Sequence, residues 1–165
     1  MKGIFLLLGT NIGDRLANLN RAKELLEAST LTIIDYSAIY ESAPWGEPDQ
    51  GHFLNIVLRI DTVLDPEKLL EVCLAAEEQM GRKRFKKWGE RIIDIDILYY
   101  ENVVLESENL TIPHPGIPMR KFTLMPLAEC GPNEVHPILG STQTELLDIC
   151  PDDLECTSTE LELDL

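Results

Sequence analysis

Residues 53–81 read FLNIVLRIDTVLDPEKLLEVCLAAEEQMG, and two structural periods follow one another in them. Phe53 to Thr62 alternates and is rich in β-branched residues, the pattern of a strand. Asp65-Pro66 then opens a helix, with Asp as N-cap and Pro at the first helical position. Leu69, Leu70, Cys73, Ala76 and Met80 recur every three to four residues as its apolar stripe, and Gly81 ends it. Working outward, the same order precedes this stretch. Gly3 to Leu8 is an apolar strand bounded by Gly9-Thr10-Asn11. Asp14 caps a helix carrying Leu16, Leu19, Ala22, Leu25 and Leu26, and Leu31 to Tyr40 is a second strand. Arg91 to Tyr100 supplies the fourth. The order β-α-β-β-α-β predicts an α+β fold. It is a ferredoxin-like antiparallel sheet with the helices on one face and a C-terminal extension. The other face is left to long loops and a site.

Ser42 to Gly51 contains two prolines and two glycines and reads as a long loop. Beyond the fourth strand the chain is loop-rich. Thr111-Ile112-Pro113-His114-Pro115 is a rigid turn, Phe122 to Leu127 a short apolar segment, and Thr142 to Ile149 a short helix. Residues 1–150 are read as one domain. Residues 151–165 hold six acidic residues and no basic one, and are read as a solvated, disordered tail.

The chain has 165 residues, 14 basic and 29 acidic, for a net charge of -15. Such a charge disfavours nonspecific binding to nucleic acid or to an anionic membrane. The apolar runs are too short to cross a bilayer, and no signal-peptide pattern opens the chain. Cys73, Cys130, Cys150 and Cys156 form no C-x-x-C pair, which fits reduced thiols in a cytoplasmic protein rather than a zinc site.

One basic island interrupts the acidity. Between residues 82 and 91 lie six basic residues (Arg82, Lys83, Arg84, Lys86, Lys87, Arg91) and one acidic residue, Glu90. The rest of the chain holds 8 basic against 28 acidic residues. A solvated loop is the ordinary explanation of a charge run, but Trp88 and the strand that follows point to a site. Asp94 and Asp96 stand two apart on an isoleucine strand, so they share one face while Ile93, Ile95 and Ile97 occupy the other. Adjacent carboxylates repel and call for a cation, and hard oxygens favour Mg²⁺. No P-loop or protein-kinase signature is present, so arginine side chains (Arg82, Arg84, Arg91, Arg120) would hold phosphate. Asn55 is a polar residue in an apolar run, and if inward it needs partners that a heterocycle edge could supply. His114 sits between prolines in a stiff turn.

Read together, these blocks resemble one family. Leu8-Gly9-Thr10-Asn11-Ile12-Gly13-Asp14-Arg15, Tyr40-Glu41-Ser42-Ala43-Pro44-Trp45-Gly46 and Phe53-Leu54-Asn55 come first. Trp88-Gly89-Glu90-Arg91-Ile92-Ile93-Asp94-Ile95-Asp96-Ile97-Leu98 and Ile112-Pro113-His114-Pro115 follow, with Arg120 and Phe122. The chain is similar to the 6-hydroxymethyl-7,8-dihydropterin pyrophosphokinases of folate biosynthesis over residues 8 to about 129. The resemblance implies transfer of pyrophosphate from ATP to the pterin hydroxymethyl group, with two Mg²⁺ ions on Asp94 and Asp96. It implies a pterin site of Ser42, Ala43, Pro44, Trp45, Phe53, Asn55 and Phe122, with the two phenylalanines as a sandwich. It implies charge stabilisation by Arg82 and Arg91, and nucleotide contacts from Glu77, Arg84, Trp88, Arg91, Ile97, Thr111, His114 and Arg120. A monomer with ATP and the pterin as its partners is expected. The alternative is a nonenzymatic ferredoxin-like module that binds nucleotide. The chain departs from the family pattern at Glu90, where a proline is common, and at Leu74 and Asn109, where polar contacts would be lost.

Overall fold

The computed structural model describes residues 3–46, 48–81 and 90–164. Their order is β1 (Ile4–Thr10), α1 (Arg15–Glu27), β2 (Leu31–Tyr36), β3 (Tyr40–Ser42), β4 (Phe53–Thr62), α2 (Pro66–Gln79) and β5 (Asp94–Tyr100). Then come β6 (Leu105–Glu106), β7 (Thr111–Ile112), a 3-10 turn (Ile117–Met119), α3 (Lys121–Cys130), α4 (Gln143–Asp148) and β8 (Cys156–Ser158). The main sheet runs β5-β1-β4-β3-β8, with β2 also paired to β4, and every pairing is antiparallel. This is the ferredoxin-like order, with the expected second strand split into β2 and β3 along one edge of β4.

The helix starts follow the capping residues. Asp14 accepts the Ala17 N–H at 3.0 Å, and Asp65 accepts that of Lys68 at 2.9 Å ahead of Pro66. Gly81 takes the left-handed φ of 78° that closes α2. Among the described residues no helix is long and apolar enough to cross a membrane.

Two cores lie on opposite faces of the sheet. On the first, Leu6, Leu8, Ile56, Leu58, Ile95 and Ile97 pack against Leu19, Ala22 and Leu26 of α1 and Leu69, Cys73 and Ala76 of α2. On the second, Phe5, Leu7, Val57, Leu98 and Tyr99 pack against Leu124 and Leu127 of α3 and Leu146 of α4. The expectation that loops alone occupy the second face is corrected here. The segment read as a short apolar run is α3, and with α4 it covers part of that face, because Leu124 and Leu127 share one helical side. Buried Gln143 anchors α4 by accepting the Tyr99 hydroxyl at 3.0 Å and donating to the Glu134 carbonyl at 3.0 Å.

The acidic C-terminal stretch is also not a loose tail. β8 pairs with β3, Thr159 donates its N–H to the Ile39 carbonyl at 2.8 Å, and Leu163 is buried in the first core. Cys156 and Leu163 turn inward and Asp152 is buried, while Asp153, Glu155, Glu160, Glu162 and Asp164 are exposed, so the segment covers the edge of β3 with most of its acids in water.

Candidate active site

The second face is covered at one end only, and register decides what the open end presents. Gly9 of β1 pairs with Asn55 on one side and Asp94 on the other, while Leu7 pairs with Val57 and Asp96. β3 extends the row, with Tyr40 opposite Asn55 and Ser42 opposite Phe53. Asp94, Gly9 and Asn55 therefore lie side by side across three strands. Gly9 lets the floor approach closely: a Cβ there would lie 3.3 Å from Asn55 Oδ1 and would push that side chain aside, while the Phe53 ring at 3.7 Å would be in ordinary contact.

Above this row is a cavity of about 390 Å³, a size that suits a small heterocycle and a phosphate chain. Its floor is Leu7, Gly9, Phe53, Asn55, Asp94 and Asp96. Ser42, Ala43 and Trp45 close one side, and Arg91, His114, Arg120 and Phe122 another. Residues distant in sequence thus meet in one place.

Asn55 is buried and donates its amide to Ser42 Oγ at 2.8 Å, which fixes the side chain at the cavity. Arg120 lies over two rings, its guanidinium carbon 5.7 Å from the Trp45 centroid and 5.8 Å from that of Phe122. The two rings meet edge-on at 6.5 Å. Burial lowers the Arg120 pKa, and the charges of Asp96, Asp94 and Asp152 raise it. Arg91 Nε stands 3.6 Å from Asp94 Oδ2. His114 is held neutral, its pKa lowered to about 4 by burial and by the Arg120 charge. Its Nδ1 accepts the Gly116 N–H at 3.0 Å, which leaves Nε2 carrying the proton as a donor.

The donor set on β5 suits Mg²⁺. Two half-buried carboxylates supply hard oxygens from one face, and Mg²⁺ is ordinarily held by one or two carboxylates plus phosphate oxygens and water. Among the described residues no three His, Cys, Asp or Glu side chains gather into a metal site of their own.

Not every expected residue reaches the cavity. Glu77 is buried on α2 and accepts the Ile95 N–H at 2.8 Å, tying the helix to the strand that carries both aspartates. Ile97 lies in the first core, Thr111 is exposed on β7, and Pro44 does not line the cavity. Leu74 and Asn109 are exposed and off the cavity, and Glu90 is exposed. Arg82, Arg84 and Trp88 lie outside the described residues.

One connection was not legible in the sequence. Asn11 accepts the Arg91 N–H on Oδ1 at 2.7 Å, and its own N–H donates to the Arg91 carbonyl at 3.0 Å. Its amide nitrogen donates to Gln50 Oε1 at 2.8 Å and to the Gly51 carbonyl at 3.0 Å. Asn11 stands in the Leu8–Arg15 block, where no local pattern marks such a hub.

The sequence profile described as 7,8-dihydro-6-hydroxymethylpterin-pyrophosphokinase (HPPK) matches residues 5–132. This chain belongs to the HPPK family. A 2-amino-4-hydroxy-6-hydroxymethyldihydropteridine pyrophosphokinase of Methylorubrum extorquens is 46% identical over 148 residues, 89% of this HPPK chain and 92% of that protein. One of Aquifex aeolicus is 45% identical over 138 residues, 84% and 86% of the two chains. The crystal structure of wild-type Plasmodium falciparum HPPK-DHPS with STZ-DHP matches this HPPK with a TM-score of 0.70 at 21% identity. That match covers 90% of this chain and 43% of the other, so this chain spans less than half of the longer protein, and the likeness is one of fold.

Proposed function

We infer that this HPPK transfers pyrophosphate from ATP to the hydroxymethyl group of 6-hydroxymethyl-7,8-dihydropterin, giving AMP and the pterin diphosphate in folate biosynthesis. The observation that carries this reading is the row across β5, β1 and β4. It sets a carboxylate platform beside a heterocycle-sized, aromatic-lined slot in one cavity.

In this reading the pterin lies between Phe53 and Phe122. The Asn55 Oδ1, over Gly9, accepts from the N–H edge of the ring, and Ser42, Ala43 and Trp45 flank it. Asp94 and Asp96 would hold two Mg²⁺ ions that arrive with ATP; bound there, they neutralise the triphosphate and draw electron density from the β-phosphorus. The hydroxymethyl oxygen attacks that phosphorus in line and gives up its proton to solvent. The bond to the α,β-bridging oxygen breaks, and AMP leaves with that oxygen. Arg91 and Arg120, with Arg82 and Arg84, balance charge on the transferring group. His114, neutral with Nε2 protonated, donates to the nucleotide without adding charge. Glu77 acts at one remove, through the Ile95 N–H, on the strand that holds both aspartates. The protein works as a cytoplasmic monomer, with all these groups drawn from one chain.

Incubation with γ-labelled ATP, Mg²⁺ and the reduced pterin tests the reading. AMP forms only with the pterin, and the label moves to the pterin diphosphate. Formation of ADP, or release of label as free phosphate, overturns it; nucleotide binding with no pterin-dependent AMP would instead mark a nonenzymatic module. Asp94→Ala and Asp96→Ala each lower turnover at least about 100-fold while pterin affinity stays largely unchanged. A parallel loss of thermal stability and pterin binding would make the aspartates structural.

A further inference from the structure

The walls of the pterin slot are held from outside the stretch that the family profile matches. One wall is the start of α3, where Arg120 and Phe122 enter the cavity. Its first turn closes on the Arg120 carbonyl, which accepts from Thr123 and Leu124 at 3.2 and 3.0 Å, but no side chain of the helix caps it. Arg120 at the N-cap makes no side-chain cap hydrogen bond, and Pro126 within the helix has no N–H to give the Phe122 carbonyl one turn earlier. The missing acceptor comes from Asp152. This residue is 8% exposed, its Oδ2 accepts the Lys121 N–H at 2.9 Å, and its Oδ1 accepts the Leu154 N–H at 2.9 Å. A carboxylate there also meets the positive end of the helix dipole.

The same short segment holds the opposite wall. Glu155 accepts the Ala43 N–H on its carbonyl at 2.9 Å, and Cys156 pairs with Ser42, whose hydroxyl fixes Asn55. Residues 152–156 therefore reach both sides of the slot at once.

We propose that Asp152 is a positioning residue of the pterin slot, capping α3 from the C-terminal segment so that Phe122 is held at the distance the segment also sets for Ser42 and Ala43. The proposal rests on the pyrophosphokinase reading. It predicts that Asp152 acts on pterin affinity through Phe122 rather than through the stability of the fold.

The test is a double-mutant cycle in the full chain, read by fluorescence titration of 6-hydroxymethylpterin with thermal melts alongside. Asp152→Ala weakens pterin binding about fivefold, the factor that a lost N-cap of ordinary strength corresponds to. Asp152→Asn, which keeps an acceptor oxygen for Lys121, recovers part of that loss and serves if the alanine variant does not fold. In a Phe122→Ala background neither substitution weakens binding further. An equal effect in both backgrounds, or a lowered melting temperature with unchanged affinity, overturns the proposal. Absence of pterin binding by the unsubstituted protein would instead overturn the reading on which it rests.

Discussion

Asn11 joins two loops that lie 39 and 80 residues away from it, at Gln50 and at Arg91. Because it saturates both backbone groups of Arg91, it continues the pairing of β1 with β5 past the last strand residues. The Arg91 side chain can then reach Asp94 at the cavity. Asn11→Ala removes these side-chain hydrogen bonds and should lower kcat by about 10- to 100-fold through misplacement of Arg91. In an Arg91→Ala background the same change should cost little more turnover, a non-additivity that steady-state kinetics on the four proteins would check. Additive losses would mean that Asn11 acts elsewhere. At this scale Asp94 and Asp96 were legible, since strand alternation alone puts them on one face away from Ile93, Ile95 and Ile97. The Asn11 clamp was not, because hydrogen bonds across 80 residues leave no periodic trace.

The elements divide in the same way. α1 and α2 could be read from Asp14, Asp65-Pro66 and Gly81, since caps and periodicity are local. α3 could not. Pro126 inside it and the missing N-cap side chain argue against a helix, and packing of Leu124 and Leu127 on the second face outweighs both. The C-terminal segment misled through composition. Six acids suggest a solvated tail, yet Leu163 is 6% exposed in the first core. Leu163→Ala should therefore destabilise the protein by about 2–3 kcal/mol in denaturant unfolding, as a buried leucine does. A change within about 0.5 kcal/mol would be that of a surface position and would return the segment to the status of a tail.

Across the whole molecule, charge and burial oppose one another at the site. A chain of net charge -15 repels anions on average, yet Arg91 and Arg120 meet in the cavity proposed above to take a triphosphate. Burial, and after it the Arg120 charge, keeps His114 neutral, with a pKa of about 4 against 6.5 for an ordinary histidine. Between these values the unfolded chain binds a proton that the folded chain does not. The His114 contribution to stability is therefore complete above about pH 6.5, falls as pH drops toward 4, and is level below that. Melting temperatures from pH 7 to 4 should decline less steeply for His114→Gln than for the unsubstituted protein; equal slopes would show that His114 titrates normally. The sequence by itself determined the β-α-β-β-α-β order, the shared face of Asp94 and Asp96, and the family blocks, because caps, periodicity and short motifs are local properties of the chain. Only the tertiary structure decided that Gly9 sets Asp94 beside Asn55, that Asn11 holds Arg91, and that α3 and the C-terminal segment wall the slot. Those choices depend on strand register and on which buried groups find partners, and both are settled by contacts between residues far apart in the chain.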